Sequence, residues 1–71
     1  MSLLKNLKEL NLDFNRLTFL PENLFQFNQQ LIYLSLQGND LNYLTNKSFR
    51  GLEKLKYLNL ARNRLQFHFN Q

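Results

Sequence analysis

Three stretches of this chain superimpose without a gap. LKELNLDFNRL (7–17), LIYLSLQGNDL (31–41) and LKYLNLARNRL (55–65) start 24 residues apart and share the pattern L-x-x-L-x-L-x-x-N-x-L. A unit that recurs at fixed spacing cannot bury its own apolar face. Only the neighbouring unit can cover it, so the chain is expected to stack turn upon turn around a shared leucine interior.

Counted from its first leucine, the unit carries Leu at repeat positions one, four, six, eleven and fourteen, Asn at nine and Phe at nineteen. On this count the chain is one block over residues 1–71: residues 1–6 are the tail of a preceding repeat, 7–30 the first repeat, 31–54 the second and 55–71 a truncated third. Leu4 falls at repeat position 22, Met1 falls where the phenylalanine belongs, and Met1-Ser2 reads as an expression start. The phase thus predicts a piece cut from a longer array in mid-repeat, without caps. Leu7, Leu10, Leu12, Leu17, Leu20 and Phe25 are expected inside in the first repeat. Leu31, Leu34, Leu36, Leu41, Leu44, Phe49 and Leu52 follow in the second, and Leu55, Leu58, Leu60 and Leu65 in the third. Asn28 departs from the pattern at repeat position 22; Phe27, one residue earlier, is the candidate to fill the space, with a locally shifted turn.

Leu10-Asn11-Leu12, Leu34-Ser35-Leu36 and Leu58-Asn59-Leu60 alternate with the period of a strand buried on one face. Strands are predicted near 9–13, 33–37 and 57–61, one turn of coil apart and therefore parallel neighbours. Between them, PENLFQF and TNKSFRGL leave room for extended or short 3₁₀ segments; Pro21 and Gly51 disfavour a longer helix. Asn15, Asn39 and Asn63 share one phase, just past each strand, where backbone groups lose their sheet partners. An inward amide brings both donor and acceptor to those groups, so these residues are expected to form an asparagine ladder inside the coil.

Several chemistries are disfavoured by what is present. A chain of 71 residues supports one small core, and with no cysteine it has no disulfide. The lone His68 stands where the other repeats carry leucine. With no cysteine beside it there is no zinc-ligand cluster, and no cofactor or metal is expected. Glu9 and Asp13 are the only carboxylates on one strand face. Four residues of strand set them about 13 Å apart, beyond the roughly 5–9.5 Å of paired glycosidase carboxylates. No nucleophile triad spacing and no glycine-rich phosphate loop occurs, so no enzymatic activity is expected. A net charge of +4 is small and scattered, and Asp13 and Asp40 lie among Arg16, Arg62 and Arg64. Nucleic-acid recognition is accordingly the weaker reading. No run is apolar enough for membrane insertion by this segment, and Lys5, Lys8 and Glu9 interrupt any leader-like stretch at the start.

These motifs resemble the typical, 24-residue leucine-rich repeats of extracellular receptors, in particular the ectodomains of Toll and Toll-like receptors, with relatives among neuronal and matrix leucine-rich-repeat proteins. LPENLF (20–25) and NKSFRGL (46–52) carry that flavour, and the resemblance covers essentially the whole chain. The resemblance implies an α/β solenoid: an arc with short parallel strands on its concave face and irregular or 3₁₀ segments on its convex face. It implies a protein ligand or co-receptor as partner rather than a substrate, and a parent at the cell surface or outside the cell. Asn46-Lys47-Ser48 agrees with that setting as a candidate N-glycosylation site at Asn46.

On such a strand, repeat positions three, five and seven point away from the core. The candidate binding residues are Glu9, Asn11 and Asp13; Tyr33, Ser35 and Gln37; and Tyr57, Asn59 and the edge residue Arg62. Ala61 completes these positions, and Phe14, Arg16, Asp40 and Arg64 extend the edge. Tyr33 and Tyr57 should occupy adjacent rungs about 4.8 Å apart. They serve either as anchors for a partner or as a ladder that stabilises the sheet. Phe19, Tyr43 and Phe67 share repeat position thirteen and are expected to shield the sheet edge. Coils without caps would expose leucines and a strand edge at each end, so self-association is expected alongside partner binding, with a structural spacer or self-assembling block as the alternative function.

Overall fold

The computed structural model describes residues 5–66. Three strands, β1 (Glu9–Asn11), β2 (Tyr33–Ser35) and β3 (Tyr57–Asn59), form one parallel sheet in the order β1-β2-β3. The register follows the sequence period: Leu10 pairs with Leu34 and Leu34 with Leu58, while Tyr33 pairs with Tyr57. The leucines therefore stand in file on the inner face, each coil covering the one before it.

The strands are two residues shorter than the alternation predicts. The chain leaves the extended conformation because repeat position eight is left-handed in every coil: Phe14 has φ 56°, Gly38 72° and Arg62 57°. Only one of the three is glycine; the others adopt a conformation uncommon for a residue with a side chain. Inter-coil hydrogen bonds straddle this turn and hold it. Leu12 and Phe14 donate to the carbonyls of Ser35 and Gln37, each at 2.8 Å, and Leu36 and Gly38 donate to Asn59 and Ala61 at 2.8 and 3.0 Å.

Leu20, Phe25, Leu31, Leu34, Leu36 and Leu41 form the core. It centres on the middle coil because, among the described residues, only that coil has a neighbour on both sides. Leu34 is fully buried, whereas Leu58, its equivalent on β3, is 39% exposed. Phe49 packs against the same core, partly buried.

On the side opposite the sheet no helix forms among the described residues, which corrects the helical half of the expected α/β class. The chain advances instead by successive turns: Leu24 donates to Pro21, Gln26 to Asn23 and Asn28 to Phe25, at 2.9–3.2 Å, each bond spanning three residues. Such bonds satisfy the backbone in less length than an α-helix needs. Thr45 and Ser48 cap the matching segment: Lys47 N–H donates to Thr45 Oγ1 at 3.1 Å, an N-cap bond, and Thr45 N–H donates to Ser48 Oγ at 2.9 Å, the returning half of a capping box.

The expectation for Phe27 is overturned. Phe27 is 49% exposed, and Asn28 is the residue fully buried. Asn28 is held inward by its backbone, its N–H donating to Phe25 at 2.9 Å and its carbonyl accepting from Leu31 at 3.1 Å. The turn therefore keeps its phase with a polar residue inside. Met1, Leu4, Phe67 and His68 lie outside the described residues.

Candidate functional site

The open face of the sheet is built from the side chains that alternate outward between the inner leucines. Two kinds of structure occupy it. The first is a polar network that joins coil to coil. Asn11 Oδ1 accepts the N–H of Asp13 at 2.8 Å, and Asn59 Oδ1 accepts that of Ala61 at 3.0 Å, each asparagine satisfying the backbone two residues on. The middle coil has Ser35 in that place, which cannot reach as far. There the Asp13 carboxylate substitutes, accepting the Gln37 N–H at 2.9 Å and the Ser35 hydroxyl at 2.5 Å. One coil onward, Asn59 Nδ2 donates to Gln37 Oε1 at 3.1 Å in the same relation.

Ser35 is consequently fully buried, a correction to its expected place among the exposed binding residues. Asp13, Gln37 and Asn59 are half-buried, and Asn11 stays exposed. The sequence signal for this network was available: aspartate and glutamine occupy repeat position seven where serine and asparagine follow at position five of the next coil.

The second structure is the column at repeat position three. Tyr33 and Tyr57 are paired across β2 and β3, with Tyr33 half-buried and Tyr57 63% exposed. Glu9 pairs with Tyr33 at the β1 end and is exposed. Arg62 is exposed at the far edge. Beside it a hollow of about 420 Å³ opens between Leu60, Arg62, Asn63 and Leu65. Arg64 meets Asp40 at 3.6 Å, with the Arg64 side chain largely in solvent and that of Asp40 about half exposed, a geometry worth at most about 1 kcal/mol. Phe19 and Tyr43 are both exposed.

Behind the sheet the asparagine ladder is present and graded. Asn39 Nδ2 donates to the carbonyls of Leu12 and Leu36, each at 3.0 Å, and its Oδ1 accepts the Leu17 N–H at 3.1 Å. Asn63 repeats this one coil on, to Leu36 at 2.8 Å, Leu60 at 3.0 Å and from Leu41 at 3.0 Å. Each amide therefore ties its own coil to the preceding one. Asn15 makes only local bonds among the described residues, to Leu12 and Asp13, and is exposed. Asn46 is exposed at the outer turn, with Ser48 buried beneath it.

No cluster of three or more potential metal ligands occurs among the described residues, and no described helix is long and apolar enough to cross a membrane. The two carboxylates considered for catalysis are differently placed, Glu9 in solvent and Asp13 engaged by the middle coil.

A parallel sheet in which each strand comes from one turn of a repeating coil, with the Asn39 and Asn63 amides tying their coils to the preceding ones, defines a solenoid-type repeat protein. A family model described as Leucine rich repeat matches residues 5–65, and the chain belongs to that family. No curated protein matches it. Leucine-rich repeats generally mediate protein–protein contacts and are typically non-enzymatic.

Proposed function

We propose that this chain is a non-catalytic, partner-binding segment of a cell-surface receptor ectodomain of the Toll-like kind. It lies in an extracellular arc of repeats and takes a protein ligand or co-receptor on its open sheet face. Asn46 carries a glycan on the opposite, outer turn. The observation that carries this reading is the Tyr33–Tyr57 pair: two aromatic rungs in register, with Tyr57 turned into solvent. Aromatic side chains of that kind are frequent anchors of protein interfaces.

The test compares the chain with its Tyr33→Ala/Tyr57→Ala variant on a panel of purified secreted and cell-surface ectodomains. The expected result is a binder whose affinity falls at least about tenfold in the variant, while the far-ultraviolet spectrum is kept. If the tyrosines are only a ladder within the sheet, the substitution lowers the melting temperature and leaves affinity unchanged.

A second reading, a repeat block that associates with its own kind, is favoured by the partly exposed Leu58 of β3 and the hollow beside Leu60 and Leu65. It predicts a molar mass that rises with concentration in light scattering coupled to size exclusion. A constant monomer mass over the dilution series would end it.

A further inference from the structure

The hydrogen bonds of the open sheet face decide which side chains are left for a partner. Those at repeat positions five and seven are largely engaged with one another: Ser35 with Asp13, Asn59 with Gln37, and Asn11 and Asn59 with their own backbones. To recruit them, a ligand would have to break bonds that the sheet already holds. Position three differs. Among the described residues the side chains of Glu9, Tyr33 and Tyr57 enter no hydrogen bond or ion pair.

One residue earlier in the outer coils stand Lys8 and Lys56, both exposed, and neither ammonium has a carboxylate partner among the described residues. Ile32 fills the corresponding place in the middle coil and is half-buried. At the strand starts, Glu9, Tyr33 and Tyr57 are therefore left free, and each follows directly on an exposed lysine or, in the middle coil, on the half-buried Ile32. The charge excess among these residues is positive.

We propose that Tyr33 and Tyr57, flanked by Lys8 and Lys56, form a docking strip for an acidic polypeptide segment carrying apolar side chains. The inference rests on the partner-binding reading above and narrows it. The apolar groups of the segment cover the rings, while its carboxylates neutralise two ammonium groups that have no counter-charge of their own. Removing those groups from water without a counter-charge would be costly, so the lysines select against basic and neutral partners. Aromatic rings beside lysines also suit single-stranded nucleic acid, but Glu9 closes one end of the strip with a charge that repels phosphate.

The experiment selects a displayed library of random short peptides on the whole chain at low salt. The recovered consensus is then synthesised and its affinity measured by fluorescence anisotropy. Three variants are compared, each checked for folding by its thermal melt: Tyr57→Ala, Lys8→Glu/Lys56→Glu, and Lys47→Glu/Arg50→Glu on the outer turn. The two charge reversals change net charge equally.

The expected consensus combines acidic and apolar residues. Its affinity falls at least about tenfold with either of the first two variants and stays within about twofold with the third. Equal loss in both charge reversals would mean bulk attraction and overturns the proposal, as does Tyr57-dependent binding of oligothymidine tighter than that of the peptide. A consensus that is Tyr57-dependent but not acidic overturns this inference while leaving the partner-binding reading intact. A library that yields no binder overturns this inference and leaves the partner-binding reading to the ectodomain panel.

Discussion

Replacing Asn39 with alanine lowers the unfolding free energy by about 3–5 kcal/mol, enough to unfold much of a chain this small. The substitution strips the partner from the Leu17 N–H and takes one of two amide donors from each of the Leu12 and Leu36 carbonyls. It also leaves a hole at a site that is 3% exposed. The same change at Asn15 costs about 1 kcal/mol or less, because Asn39 still donates to Leu12 and the site is open to water. Asn63→Ala falls between, having the inter-coil bonds of Asn39 but a half-buried site. Urea denaturation of the three variants measures the order directly. Equal losses would show that these asparagines act locally, as turn residues, rather than as ties between coils.

Gly51→Ala is expected to cost about 2–4 kcal/mol. Gly51 sits on the outer turn at φ 99°, where a side chain is strained in any case. A Cβ there would stand 2.6 Å from the Cα of Gln26 and 2.7 Å from the Phe25 carbonyl oxygen, which are backbone atoms of the coil below. They cannot yield without moving Phe25 in the core. Gly38→Ala makes the useful comparison. Its φ is also positive, but a Cβ there meets the Phe14 ring, and that side chain is free to swing into solvent. Its cost should be nearer about 1 kcal/mol. Thermal melts separate the two, at roughly 4–8 °C for each kcal/mol in a domain of this size. If Gly38→Ala proved the more damaging, close contact between outer turns could not be what demands glycine at Gly51.

Much of this architecture is legible in the residues. Leu10, Leu34 and Leu58 pair across the sheet because identical spacing leaves one register that turns every leucine to the inner face, and a slip by one residue would turn them all outward. The adjacency of Tyr33 and Tyr57 follows from the same constraint. Other features are less legible because they depend on partners a full coil away. Ser35 looks like an exposed strand residue until Asp13, 22 residues earlier, is seen to reach it. Phe27 outranks Asn28 on hydropathy, yet the phase of the turns, fixed by backbone hydrogen bonds on both sides, carries Asn28 inward. Left-handed geometry at Phe14 and Arg62 has no signal in either residue; only alignment with Gly38 reveals it.

The sequence by itself determined the stacking, the register and the identity of the tie residues, because a period of 24 with leucine and asparagine in fixed phase admits one economical burial. The tertiary structure alone decided how much each copy of the motif contributes. Three asparagines of the same phase differ in burial and bonding, and outward side chains divide into those locked within the sheet and those left free. The physical reason is that local pattern sets where a side chain points. Its environment is supplied by the neighbouring coil, and the coils differ in how many neighbours they have.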